Sequence, residues 1–286
     1  MTNGELMLDQ ISFIGGGVMA EAIVQGLLTK KLVSPAAITV SEPRKERREE
    51  LKRTCGIGVS DRNIGAVASS KIVILCVKPQ DVNNVLTELE GRLKDGQLVI
   101  SIVAGTRLHT ISEGLRYDAI VRVMPNTPAQ FGEGMSVWTA SAAVSAGHME
   151  DARTILGALG KELFMHDEKF LDMATAVSGT GPTYVFLVME AMIDAAVHLG
   201  FPRHIAYELV TETIRGSIFY AIKSGKHPAE LRNLVTSPGG TSAAALYQLE
   251  KGGLRTVVSK AILAAYERSR SLGERDVSAH GRTRGS

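Results

Sequence analysis

Residues 10–20 read Gln10-Ile11-Ser12-Phe13-Ile14-Gly15-Gly16-Gly17-Val18-Met19-Ala20, and the fold turns on the six letters after Ile14. An apolar run of strand length ends in G-x-G-x-x-A, and a helical pattern from Met19 to Thr29 follows. Gly15 permits a tight turn and Gly17 lets backbone approach a pyrophosphate. Ala20 lets helix and strand pack closely, while the helix N-terminus faces the phosphates. Alone, such a turn reads equally as a plain strand-to-helix connection. Its surroundings favour a dinucleotide site.

Those surroundings extend to about Met165. The short runs ISFI, ITV, KIVILCV, LVISIV, AIVRV, MSVW and ELFM alternate with helical segments. This is the pattern of a mostly parallel, doubly wound sheet with helices on both faces, and KIVILCV and LVISIV are apolar enough to be covered on both sides. The first region, 1–167, is therefore expected to be a Rossmann-type dinucleotide-binding domain.

From about Phe170 strand-like runs stop, and helices are expected over Pro182–Leu199, Pro202–Ser224, Pro228–Leu234, Thr241–Leu249 and Leu254–Leu272. Prolines at 182, 202 and 228 suit first turns, and Gly200, Gly225 and Gly273 suit C-terminal stops. The second region, 168–272, is read as an all-α dimerisation and substrate domain, and 273–286 as a polar, disordered tail. The helix YVFLVMEAMIDAAVHL is apolar on almost every side apart from the stripe Glu190, Asp194 and His198, so a second subunit is expected to cover part of it. The stripe lacks a second cluster to complete a metal site and reads as a solvated or salt-bridged seam. No metal is expected.

Composition narrows the function. A 286-residue chain with 44% apolar residues can build a sizeable core, and a net charge of +2 with 5% aromatics offers no basic stripe or stacking platform for nucleic acid. Cys55 and Cys76 match no disulfide or metal-ligand spacing, which fits a reducing cytoplasm. The start MTNGELMLDQ lacks the character of a signal peptide, and no apolar, uncharged stretch of about 18 residues is found, so no membrane partner is expected.

A second glycine turn carries the other half of the chemistry. Leu234-Val235-Thr236-Ser237-Pro238-Gly239-Gly240-Thr241-Ser242-Ala243 closes one helix and opens another, bringing unpaired backbone N–H groups and several hydroxyls together at a positive helix end. A small carboxylate fits such a cradle. On the cofactor side, the second strand ends in Ser41-Glu42-Pro43-Arg44. Glu42 could accept from the ribose hydroxyls of NAD, whereas Ser41 and Arg44 could hold the 2′-phosphate of NADP, and the residues alone leave both open. Cys76-Val77-Lys78-Pro79 and Ile102-Val103-Ala104 follow apolar strands and should flank the nicotinamide. Asn63 reads equally as a helix cap or an adenosine contact.

The segments FIGGGVMAEAI, CVKPQ, SIVAG, MPNTPAQFGEG, SGTGPTYVF and LVTSPGGTSAAAL occur in the order and spacing of the pyrroline-5-carboxylate reductases, and the chain resembles that family from Ile11 to Leu272. The resemblance implies NAD(P)H-dependent reduction of 1-pyrroline-5-carboxylate to L-proline, the final step of proline biosynthesis. It implies that Ser237, Gly239, Gly240 and Thr241 bind the substrate carboxylate and that Ser242, where relatives usually carry threonine, takes the catalytic contact to the imine nitrogen. It places Ile14, Gly15, Gly16, Gly17, Val18, Met19, Asn63, Cys76, Val77, Lys78, Pro79, Ile102, Val103 and Ala104 at the cofactor. Glu42 stands where NADPH-binding relatives often have serine, so NADH is expected to serve beside NADPH. It further implies a homodimer whose helical domains interlock, and a decamer of five dimers. A reductase of another cyclic imine carboxylate, or a non-catalytic NAD(P)-binding regulator, would share these features. The β-hydroxyacid dehydrogenases share the layout but use a lysine that Pro182–Leu199 lacks.

Overall fold

A computed structural model describes residues 8–281. Its strands are β1 (Ile11–Ile14), β2 (Ile38–Ser41), β3 (Gly58–Ser60), β4 (Ile72–Leu75), β5 (Leu98–Ser101), β6 (Ile120–Met124), β7 (Gly134–Ala140) and β8 (Gly160–Phe164). They form one sheet in the order β3-β2-β1-β4-β5-β6-β7-β8. Every neighbouring pair is parallel except β6 and β7. The short strand β3 was not among the runs singled out from the sequence, because Gly58-Val59-Ser60 carries little apolar signal.

The sheet is covered as the sequence pattern requires. In β1, β4 and β5 every residue is buried. Successive side chains go to opposite faces. Phe13, Ile74 and Ile100 join one core with α1 (Val18–Thr29), α2 (Lys45–Cys55) and α6 (Ala146–Gly157). Ile14, Leu75 and Val99 join the other with α3 (Asn63–Val67), α4 (Val82–Leu89) and α5 (Leu108–Leu115). The doubly wound reading is therefore correct. Strand order reverses at β1, which pairs with β2 on one side and β4 on the other, so a crevice opens at their C-terminal ends. Ile14 lies level with Ser41 and with Leu75, which brings Gly15, Glu42 and Cys76 to one height.

Beyond β8, the helix α7 (Lys169–Ala174) and a π-helical turn at Thr175–Gly179 belong to this first unit. A buried ionic group fastens them. Arg122 on β6 is 3% exposed, donates to Glu168 Oε1 at 2.7 Å and stands 3.6 Å from Asp172 Oδ1. Asp172 also accepts from Ser269 Oγ at 3.0 Å. By packing, the first unit runs to Thr180 and resumes at Ala265, and the second is Gly181–Ala264. The sequence pattern marks the change at 168, where strands stop, and cannot see this ionic anchor.

The second unit is all helical: α8 (Gly181–His198), α9 (Arg203–Ser224), α10 (Pro228–Leu234), α11 (Thr241–Lys251) and the first part of α12 (Leu254–Gly281). Gly200 and Gly225 stop their helices with φ of 107° and 62°. Gly273 does not: α12 continues to Gly281, so the expected disordered tail is helical that far, and 282–286 lie outside the described residues. Asp194 pairs with Arg203 at 2.9 Å, and among the described residues no group of His, Cys, Asp and Glu is placed to hold a metal. The run Lys169–His198 is long and apolar enough, by length and composition, to cross a membrane, which the sequence reading did not find. One such helix in a chain otherwise built around a doubly wound sheet is weak grounds for a span.

This unit buries little of its apolar surface. Its core is Ile193, Ala206 and Val210, while Phe186, Leu187, Ile218, Phe219 and Val257 are each 58% exposed or more. So much exposed apolar surface needs a protein cover. Leu187→Asp is expected to split the assembly toward a 30.6 kDa monomer in light scattering; an unchanged mass would show that this face of α8 is not covered.

Candidate functional site

A crevice of about 970 Å³ opens at the C-terminal ends of β1, β2 and β4. Of the residues expected at a cofactor, Gly15, Gly17, Val18, Ser41, Glu42, Arg44, Asn63, Cys76, Val77 and Lys78 line it. Ile14, Gly16, Met19 and Pro79 adjoin these without lining it, and Ile102, Val103 and Ala104, which follow β5, do not line it.

The three glycines have three different reasons to be glycine. Gly15 has φ 97°, and a Cβ there would lie 2.8 Å from the Cys76 carbonyl oxygen. A Cβ on Gly16 would lie 2.9 Å from Leu51 Cδ1. Around Gly17, apart from its own chain neighbours, no atom of the described residues lies within 4 Å of such a Cβ, so packing does not require glycine at this position. Gly17 is also the N-cap of α1. The first bond of that helix runs from the Glu21 N–H to the Gly17 carbonyl at 3.1 Å, which leaves the N–H groups of Val18, Met19 and Ala20 for a ligand. An open N-cap glycine below unpaired N–H groups fits the pyrophosphate of a dinucleotide.

Around this turn the polar groups are already ordered. Asn63 is not the N-cap of α3, a position held by Arg62. Its Oδ1 accepts from Ser41 Oγ and its Nδ2 donates to Glu88 Oε2, both at 2.7 Å. Glu42 is buried, accepting from the Gly16 N–H at 3.0 Å and from Arg44 N and Nε at 3.1 and 2.8 Å. Burial pushes its carboxyl up, but the Arg44 guanidinium and the N–H groups of Arg44 and Gly16 outweigh it and hold the pKa below its ordinary 4.5. Burial pushes the Cys76 thiol up, so it is a neutral wall residue and not a nucleophile. Arg47, also in the lining, was missed. Its signal was its place in the first turn after the strand end, but in the run KERREE it reads as one more solvated charge.

The second site lies in the helical unit. Gly239 has φ 71°, and a Cβ on Gly240 would lie 2.5 Å from Ser237 Oγ. Gly240 is the N-cap of α11, whose first bond, from the Ala244 N–H to the Gly240 carbonyl, is 3.2 Å long. The N–H groups of Thr241, Ser242 and Ala243 precede it. The hydroxyls of Ser237, Thr241 and Ser242 make no hydrogen bond among the described residues, whereas Thr236 Oγ1 is spent on the Arg232 carbonyl at 2.7 Å. Three N–H groups and three hydroxyls at one helix end can hold a carboxylate and still offer a donor to a neighbouring atom.

Comparison with known proteins covers both halves of the chain. The family model described as pyrroline-5-carboxylate reductase dimerisation matches residues 168–272, and one described as NADP oxidoreductase coenzyme F420-dependent matches 10–105. The pyrroline-5-carboxylate reductase of Synechocystis sp. is 42% identical over 93% of this chain and 99% of its own length. The solved structure of that enzyme from Coxiella burnetii aligns with TM-score 0.85 at 34% identity over 93% of this chain and 98% of its own. Pyrroline carboxylate reductase of Plasmodium falciparum, solved with NADP bound, aligns with TM-score 0.86 at 30% identity over 94% and 100%.

Two outcomes follow from the geometry. Gly17→Ala should leave the melting temperature almost unchanged yet weaken nucleotide binding about tenfold or more, whereas Gly15→Ala should cost about 1–3 kcal/mol of stability in denaturant titration. The reverse pattern would reassign the two glycines. Because the Glu42 pKa is lowered on folding, its stabilising contribution is full above 4.5 and is lost as pH falls through the lowered value. The stability difference between wild type and Glu42→Gln should therefore shrink on acidification below 4.5; a constant difference would mean that the charge is not what matters.

Proposed function

Since the chain belongs to the pyrroline-5-carboxylate reductase family, we propose that it reduces 1-pyrroline-5-carboxylate to L-proline with NAD(P)H, and that the α11 cradle is where the substrate carboxylate sits. The observation that carries this is the cradle itself: unpaired N–H groups and hydroxyls at a helix N-terminus, shaped by Gly239 and Gly240. The substrate is a small ring with one carboxylate and one imine, and the cradle offers what each needs. Ser237, Gly239, Gly240 and Thr241 bind the carboxylate. Ser242, one residue further into α11, donates to the imine nitrogen.

When bound, the reduced nicotinamide supplies the hydride. The residues of this chain supply position. Gly17 and the first N–H groups of α1 hold the pyrophosphate, and Ser41, Arg44 and Asn63 border the adenosine end. The cradle would fix the ring by its carboxylate, and such positioning can supply several kcal/mol. A protonated imine already accepts hydride readily near neutral pH. Ser242 therefore needs only to donate to the nitrogen of the neutral imine and relay to it the proton that makes it such an acceptor, and no strong acid is required of the chain.

The exposed apolar helices of 168–272 serve dimerisation, as the matched family model describes. Assembly of five dimers into a decamer and residence in the cytoplasm complete the proposed picture. NADPH is the expected partner, with NADH also accepted.

Ser242→Ala should lower kcat for 1-pyrroline-5-carboxylate about 10- to 100-fold, the scale of one transition-state hydrogen bond, with the NADPH dissociation constant unchanged within about twofold. The measurement is substrate-dependent loss of NADPH absorbance beside a nucleotide titration. An equal loss of nucleotide binding would contradict the placement of Ser242. Wild-type protein that binds NADPH without turning over this substrate would contradict the function.

A further inference from the structure

Two side chains of the segment from β2 into α2 hold the glycine turn by its own peptide groups. The Gly16 N–H donates to Glu42 Oε2 at 3.0 Å, and the Gly16 carbonyl accepts from Arg47 Nε at 2.7 Å. Each peptide is planar, so the first contact orients the Gly15–Gly16 peptide and the second orients the Gly16–Gly17 peptide, whose N–H belongs to the N-cap of α1. A run of three glycines would otherwise be the most conformationally free part of the site. Neither holding residue is free for another task. Both Glu42 oxygens are occupied, Oε1 by the Arg44 N–H and Nε, and Arg47 spends its remaining arms on Glu21 at 2.6 Å and Glu50 at 2.7 Å. Arg44 differs. Its side chain is 65% exposed at the crevice, only its Nε is engaged, and its two terminal nitrogens make no hydrogen bond among the described residues.

We propose that Glu42 and Arg47 are positioning residues for the dinucleotide turn, and that Glu42 also steadies, through Nε, the Arg44 guanidinium whose place after the second strand already suits the 2′-phosphate of NADPH. This rests on the NAD(P)H reading of the crevice and changes the role of Glu42. As a side chain already committed to the turn, Glu42 does not compete for the ribose, and its charge orients the guanidinium. One face of Arg44 is fixed by the carboxylate while the terminal nitrogens stay available for a bidentate phosphate contact.

The test is titration of full-length protein with NADPH and with NADH in the absence of substrate, following nicotinamide fluorescence. Arg44→Ala should weaken NADPH about 10- to 100-fold, the loss of one or two charge-assisted hydrogen bonds, and NADH by no more than about threefold. Arg47→Ala and Arg47→Lys should weaken both nucleotides by similar factors and raise KM for both with kcat nearly unchanged. Glu42→Ala should also weaken both, and Glu42→Gln, which keeps an acceptor for the Gly16 N–H, should weaken both less. Thermal melting of each variant separates unfolding from loss of the turn. Glu42→Ala that tightens NADPH while loosening NADH would overturn the proposal, as would equal losses of both nucleotides in Arg44→Ala or unchanged binding in Arg47→Ala. Wild-type protein that binds neither nucleotide would instead overturn the cofactor reading beneath it.

Discussion

The pairing of β1 with both β2 and β4 is the constraint on which the rest depends. Because the chain leaves β1 toward one side of the sheet and later returns on the other, the C-terminal end of β1 is the place where connecting helices diverge. Register then fixes which side chains meet there, since Ile14 aligned with Ser41 and Leu75 sets Gly15, Glu42 and Cys76 side by side. That alignment also explains the steric demand on Gly15, whose missing Cβ leaves room for the Cys76 carbonyl.

The same physics recurs at both candidate sites. A glycine turn opens α1 and another opens α11, and in each the N-cap is a glycine that donates no side-chain cap and leaves the first N–H groups to a ligand. The two turns differ in their surroundings. Around α1 the polar groups are committed to one another through Glu42, Arg47 and Asn63, a preorganised frame for a large cofactor. Around α11 the hydroxyls of Ser237, Thr241 and Ser242 are uncommitted, as suits a small ligand bearing both an anion and an imine.

Much of this was legible in the sequence. Alternation of apolar runs gave the sheet and its two covered faces, proline and glycine punctuation gave the helices after Gly181, and both glycine turns were readable as helix starts. What was not legible depends on contacts distant in sequence. Arg122, Glu168, Asp172 and Ser269 bind α7 and the second half of α12 to the sheet, so the first unit extends past 168, the residue where strand patterning ends. That Gly16 and Arg44 occupy both oxygens of Glu42 was not legible, because strand-end position is visible in a sequence and hydrogen-bond partners are not. The apolar character of α8 was visible, but its continuity back through Thr175–Gly179 to Lys169 was not, because a π-helical turn has no clear sequence signature.

The claim at the centre is that the α11 cradle recognises the carboxylate of a cyclic imine and so holds its ring for reduction. The most direct measurement compares kcat/KM for 1-pyrroline-5-carboxylate with that for 1-pyrroline, which has the same ring and imine but no carboxylate. Losing an anion held by several N–H and O–H donors should lower kcat/KM by about 100-fold or more. Equal values for the two imines would contradict the account.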